Sequence, residues 1–152
     1  MTNEMLIERL KAICPAAEMQ TEGKWPILML ASNEWISYAH QFRNDSELNA
    51  DYLFCLTCID WKTHLTMVYH LSSTVHRQSF VVQVKLDRTQ PKIDSVSQIW
   101  RTAEFHEREV YEMFGVQLIG HPDLRLLILP DGWEGKNPLR KDFEDPINMI
   151  KL

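Results

Sequence analysis

Apolar residues recur at helical spacing near the start of the chain, where Met5, Leu6, Leu10 and Ile13 fall on one face. Thr2 or Asn3 can cap that helix. Pro15 ends it, because a helix interior tolerates neither its ring nor its missing N–H. Gly23 and Pro26 flank a turn, after which residues 27–31 read as a short apolar strand. A second helix is predicted with Ser32 or Asn33 as its cap and Trp35, Ile36, Ala39 and Phe42 on one stripe. The period then changes to two. Strands are predicted over 52–61, 64–72 and 78–87, with Lys62-Thr63 closing a tight hairpin between the first pair. In the last of them Phe80, Val82, Val84 and Leu86 alternate with Val81, Gln83 and Lys85, the signature of a half-buried antiparallel strand. This order argues for an α+β fold, with helices packed on one face of a mainly antiparallel four- to five-stranded sheet.

The character changes near residue 90. One more helix is predicted over 96–114, with room for a break near Arg101, and Gly115 ends it as a glycine just past a helix terminus does. Gly120, Pro122, Pro130, Gly132, Gly135, Pro138 and Pro146 then punctuate the chain too densely for regular structure. Yet Leu124, Leu126, Leu127, Ile128, Leu129 and Trp133 make the segment too apolar for a free tail. A segment of this kind lies along another surface, and a partner's surface is preferred here over that of the same domain. The expected division is an α+β domain over 1–115 and an extended partner-binding segment over 116–152. Parted from its partner, that segment is expected to be mobile or to pair with a second copy.

Composition narrows the classes of function. The 152 residues allow one domain, and 45% hydrophobic with 24% charged residues is an ordinary globular balance. Sixteen Lys and Arg against 21 Asp and Glu leave a net charge of −5, so no nucleic-acid partner is expected. The best apolar run, 25–31, is far shorter than the roughly 20 residues a membrane-spanning helix needs. The N-terminus lacks the charged and apolar regions of a secretory signal. Three cysteines make no disulfide framework and favour a reducing compartment.

Candidate chemistry is sparse. Cys55 and Cys58 form a CxxC, but on a regular strand positions three apart face opposite ways, and only Cys14 remains as a further thiol. They read as small core residues. His106-Glu107 lacks the second histidine of a zinc-protease motif, since the fifth position is Val110. Glu104, Glu107, Glu109 and Glu112 lack the Glu-x-x-His pairs of a di-metal site and read mostly as a solvated acidic face. Glu107 is the exception, because it shares the stripe of Trp100, Ala103, Val110 and Phe114. A carboxylate buried there needs a cation or several hydrogen bonds, and an arginine of this chain or of a bound one is expected, with Arg125, Arg140 and Lys141 as the nearby cations. His121-Pro122-Asp123 matches the tripeptide of J-domain co-chaperones, but the helix before it is acidic where theirs is basic. With five glycines, the chain has no phosphate loop, dinucleotide fingerprint or nucleophile elbow.

Three linked motifs carry a stronger signal: residues 107–115, Glu-Arg-Glu-Val-Tyr-Glu-Met-Phe-Gly; Gly120-His-Pro-Asp-Leu-Arg125; and Pro138-Leu-Arg-Lys-Asp142. With Cys55-Leu-Thr-Cys-Ile-Asp60, Val68-Tyr-His-Leu71 and Ser95-Val-Ser-Gln-Ile-Trp100, they make residues 50–143 resemble the 30-kDa subunit of respiratory complex I, the C-type subunit of bacterial NADH–quinone oxidoreductase. One departure is the loop before Arg140, where Gly135-Lys-Asn-Pro138 replaces a Gly-His-Pro.

The resemblance implies a non-catalytic peripheral-arm subunit of a proton-translocating, quinone-reducing complex. It implies no cofactor on this chain, with FMN and iron–sulfur clusters on partner subunits. The implied partners are the 49-kDa-type (D-type) large subunit and other peripheral-arm subunits. The implied location is the cytoplasmic face of a bacterial inner membrane, held there through the complex. Glu107, Arg108, Glu109, Tyr111, Phe114 and Gly115 would belong to the helix that closes the domain. His121, Pro122, Asp123, Arg125, Pro138, Leu139, Arg140, Lys141 and Asp142 would carry the contacts, the two groups together forming the partner interface. Two alternatives stay open: the same module in a membrane-bound hydrogenase or F420 dehydrogenase complex, and a free-standing acid–base enzyme using Glu107, His106 and Arg140. A pocket gathering those three residues would favour the enzyme.

Overall fold

A computed structural model describes residues 2–148. Helix α1 (Asn3–Ile13) begins where Thr2 accepts the Met5 N–H on its hydroxyl at 3.3 Å, and it buries Leu6 and Leu10. Cys14 closes it, ahead of Pro15. Strands β1 (Glu18–Gln20) and β2 (Ile27–Leu30) precede α2 (Trp35–Asn44), which buries Trp35, Ala39 and Phe42. Neither Ser32 nor Asn33 caps α2, contrary to expectation. Those residues form a turn, and Glu34 stands at the cap in helical conformation with no side-chain bond.

Three long strands follow, β3 (Tyr52–Asp60), β4 (Leu65–Ser73) and β5 (Gln78–Leu86), within a residue of their expected bounds. At the first hairpin Trp61 donates its N–H to His64 O at 3.0 Å while Lys62 takes a φ of 68°. The sheet order is β1-β2-β5-β4-β3, antiparallel throughout except for the parallel β2–β5 pair. The fold class is the α+β expected.

Register places Leu28, Val82, Tyr69 and Leu56 in one row across the sheet, and Leu30, Val84, Met67 and Cys58 in the next. These rows carry the core beneath α1 and α2. Trp35 sits at its centre, with its ring 4.5 Å from Tyr69 and 6.3 Å from Trp100. Cys58 lies in this core, whereas Cys55 points to the other face, as the strand period requires. Burial pushes both thiols up, Cys58 to about 12.

Helix α3 (Ala103–Phe114) starts later than the pattern suggested, after turns between residues 97 and 102. Side chains at that turn bond to β3 and the loop before it: Trp100 Nε1 donates to Ala50 O at 2.8 Å and Thr102 Oγ1 to Leu53 O at 2.6 Å. The helix therefore runs along β3 at the sheet edge and adds Ala103, Val110 and Phe114 to the core. Three short strands escaped the pattern: β1, and β6 (Lys92–Asp94) with β7 (Gln117–Ile119), which pair with each other in parallel. Through β7, Val116 and Leu118 join the core, so the packed domain extends beyond Gly115.

Gly115 is a true left-handed terminus at φ 77°, and a Cβ there would come 2.7 Å from Asn137 Nδ2. Gly115→Ala should cost about 1–2 kcal/mol from the left-handed backbone alone, more with the clash. Adding Asn137→Gly should recover the clash but not the backbone part, as denaturant unfolding of the two variants will show.

Candidate functional site

The sequence places charged residues on two neighbouring turns of α3, and the structure uses them on one task. Arg108 and Glu112, four residues apart, share a face, and both are buried. Arg108 donates from Nε to Arg125 O at 3.0 Å and from Nη2 to Leu126 O at 2.6 Å. Glu112 accepts the backbone N–H groups of Leu127, Ile128 and Leu129 at 2.8, 2.9 and 3.2 Å. Three successive N–H groups converging on one carboxylate form a concave nest, so the chain bends at 127–129 instead of running extended. Glu112 is thus no solvated carboxylate; its spacing from Arg108 was the available signal.

The expected arginine partner of Glu107 is corrected. The side chain is fully buried as expected, but it accepts from Ser95 Oγ at 2.6 Å and Val96 N–H at 2.7 Å, with His121 Nε2 3.8 Å away. Ser95 and Val96, in the turn beside α3, supply the donors that an arginine was expected to supply. Burial raises the Glu107 carboxyl above its ordinary range; the Ser95, Val96 and His121 interactions only partly offset this. His121 faces Glu104 O through Nε2 at 2.9 Å and accepts the Asp123 N–H on Nδ1 at 3.0 Å, a network that fits the Nε2–H tautomer. The His-Pro-Asp tripeptide is therefore a structural turn, with Pro122 exposed and Asp123 paired to exposed Arg125 at 2.9 Å.

A second anchor lies at the far end of the segment. Asp60 continues the inward parity of Leu56 and Cys58, so its carboxylate is buried and must find donors. It receives Arg88 Nε and Nη2, each at 2.9 Å, Lys62 N–H at 2.8 Å and Lys141 N–H at 2.9 Å. The Arg88 guanidinium holds the Asp60 carboxyl well below the usual carboxylate range. Asp142 reaches Arg88 from outside at 3.1 Å. Arg140 donates to Phe114 O at 2.7 Å and Arg88 O at 3.2 Å, and Leu139 N–H meets Met113 O at 3.1 Å.

The C-terminal segment is consequently bound along its own domain, the less favoured of the two surfaces considered for it. Of the interface residues anticipated from sequence, Glu107, Arg108, Phe114 and Arg140 are engaged within the chain. Glu109, Tyr111 and Pro138 are half-buried, and Leu139, Lys141 and Asp142 are exposed. The peptide groups point inward and the side chains of Leu127 (41% exposed), Ile128 (61%) and Leu139 (53%) point out. Glu107, His106 and Arg140 are not gathered: Arg140 lines a cavity of about 490 Å³ with Trp133 and Phe143, and neither of the others borders it. Residues 149–152 lie outside the described part.

The architecture is that of an α+β domain carrying an arm on charged anchors. Residues 28–147 match the family described as Respiratory-chain NADH dehydrogenase, 30 Kd subunit, and the chain belongs to that family. It is 34% identical over 145 residues to the NADH-quinone oxidoreductase C subunit of Roseiflexus sp. (strain RS-1), spanning 92% of this chain and 83% of that one. It is 40% identical over 112 residues to the C subunit of Chloroherpeton thalassium, spanning 72% of this chain and 46% of that one. The match to the NADH-quinone oxidoreductase C/D polypeptide of Phocaeicola vulgatus is 46% identical over 104 residues, covering 67% of this chain and only 20% of the relative. Among solved structures, the Nqo5 trypsin-resistant fragment (1-134) superposes with a TM-score of 0.70 at 24% identity, over 82% of this chain and all of that one. A chain of an archaeal membrane-bound sulfane sulfur reductase superposes with a TM-score of 0.77 at 23% identity, over 93% of this chain and 85% of that one. These two likenesses concern the fold.

Two outcomes test the anchors. Asp60→Asn should lower stability at neutral pH by about 3 kcal/mol, because Arg88 loses a buried partner. A depressed folded pKa means that the contribution is present above the unfolded value and lost as pH falls. The gap between wild type and Asp60→Asn should therefore narrow in denaturant melts taken from about pH 5 down to about pH 3. Glu112→Ala leaves three N–H groups without an acceptor and should raise protease cleavage within 120–135 by about tenfold or more. The far-UV spectrum of the sheet should stay the same.

Proposed function

We propose that this chain is a non-catalytic peripheral-arm subunit of a quinone-reducing, NADH-oxidising respiratory complex, and that its arm docks on the 49-kDa-type (D-type) large subunit. The carrying observation is the arm itself, with its backbone bound inward and Leu127, Ile128 and Leu139 turned out. Apolar side chains presented on an ordered backbone suit a protein surface better than water. Relatives that bear the joint C/D designation support the choice of partner, since a single polypeptide then carries both names.

In this reading the chain contributes placement and no bond-making chemistry. It braces the D-type chain near the quinone site and keeps neighbouring subunits in register, because redox partners must be placed to within ångströms of their working geometry. FMN and iron–sulfur clusters belong to other subunits, and proton translocation to the complex as a whole. Among the described residues no helix is long and apolar enough to cross a membrane. Membrane attachment, at the cytoplasmic face of a bacterial inner membrane, comes through the complex.

A tagged copy pulled from gently solubilised membranes should bring down a D-type chain together with iron–sulfur subunits. Leu127→Asp combined with Ile128→Asp should cut that recovery about tenfold or more, since burying a charge in such a contact is costly. Recovery of the chain alone, at full yield, would overturn the reading.

A further inference from the structure

The cavity of about 490 Å³ that Arg140 borders is lined wholly by the arm, between residues 133 and 146. Backbone turns set its shape: Lys136 N–H meets Trp133 O, Arg140 N–H meets Asn137 O and Phe143 N–H meets Arg140 O, each at 3.1 Å. Trp133 and Phe143, both half-buried, form an aromatic wall with ring centres 6.2 Å apart. Three carboxylates and two cations complete the lining, an excess of one negative charge. Most of these charges have partners. The Lys136 ammonium lies 4.4 Å from the centre of the Trp133 ring. Arg140 is turned to the carbonyls of Phe114 and Arg88, and Asp142 to the Arg88 guanidinium. Asp145 accepts the Ile147 N–H at 3.0 Å and Asn148 Nδ2 at 2.7 Å. Glu144 is left, exposed and with no hydrogen bond or ion pair among the described residues.

We infer that this cavity receives an arginine side chain of the D-type chain, its guanidinium paired with Glu144 and its flat face against the aromatic wall. The choice of chain rests on the proposed docking of the arm, of which the cavity is a part. The choice of side chain comes from the cavity itself. A negative excess selects a cation, and an apolar occupant would leave the Glu144 charge unpaired as the surfaces close. Aromatic rings beside a carboxylate favour guanidinium over ammonium, because guanidinium pairs in bidentate fashion, stacks on rings and is the more weakly hydrated. Pockets that enclose small ligands run from roughly 300 to 1,000 Å³, so this one has room for a whole side chain. Leu139 and Ile147, both exposed, follow and precede lining residues by one position, and apolar neighbours exclude water around such an anchor. The net charge of −5 opposes a second copy of this chain as the occupant.

The test uses the assembled complex and phenylglyoxal, which labels arginine. In wild-type complex one arginine of the D-type chain should resist the label, and with Glu144→Gln the same arginine should react about tenfold faster or more. Co-recovery of the D-type chain should fall about tenfold with Glu144→Gln and be largely restored with Glu144→Asp. Neither change should move the thermal midpoint of the full chain, since Glu144 has no partner within it. Protection that falls on another subunit or on a second copy, or that Glu144→Gln leaves intact, overturns the inference, as does undiminished recovery with Glu144→Gln. If the Leu127→Asp, Ile128→Asp variant still loses the D-type chain in that case, docking through the arm stands and only the arginine falls. Recovery of the wild-type chain alone would defeat both.

Discussion

A guanidinium and a carboxylate are buried on one face of α3, and the peptide groups of the arm satisfy both. An arm rich in proline and glycine has no strand beside it, so its N–H and C=O groups need partners from elsewhere. Arg108 offers donors to two carbonyls and Glu112 an acceptor to three N–H groups. Neither side is stable without the other, because an unpaired buried charge and an orphaned peptide group are both expensive. The same logic recurs at Asp60, which binds Arg88 and the Lys141 N–H together. Arg140 completes it by donating to the carbonyl of Phe114, at the end of α3 whose carbonyls lack helical partners. The domain and the arm are thus one folding unit joined by side chain to backbone bonds.

Local signals were readable in the sequence and tertiary ones were not. Thr2, Pro15 and Gly115 each act within a turn of where they stand, and the three long strands announce themselves by alternation. Strands β1, β6 and β7 are three residues each, too short for a period to register. The burial of Glu107 followed from its place on the α3 stripe, but its partner did not. The acceptor sites were filled by Ser95 and Val96 upstream, and of the arginines expected to serve it Arg140 binds carbonyls and Arg125 pairs with Asp123. Asp60 could have been found, since it keeps the inward parity of Leu56 and Cys58, and a carboxylate at an inward position demands donors. Glu112 was harder, because its donors are peptide groups that no residue type advertises.

The nest around Glu112 also decides what the arm presents. In an extended strand neighbouring side chains point to opposite sides. Bending 127–129 around one carboxylate instead leaves the adjacent Leu127 and Ile128 both exposed. Ordering a residue's backbone costs about 1–2 kcal/mol, so the five residues from 125 to 129 would carry a docking penalty of roughly 5–10 kcal/mol if they were free. Held by Arg108 and Glu112, they have met that cost in folding, and a partner binding Leu127 and Ile128 would gain contact without having to order the chain. On the proposed docking, the charged anchors of α3 would bear on affinity through the order they impose on the arm, and a substitution at Glu112 would weaken assembly by loosening the arm while every outward side chain stayed the same.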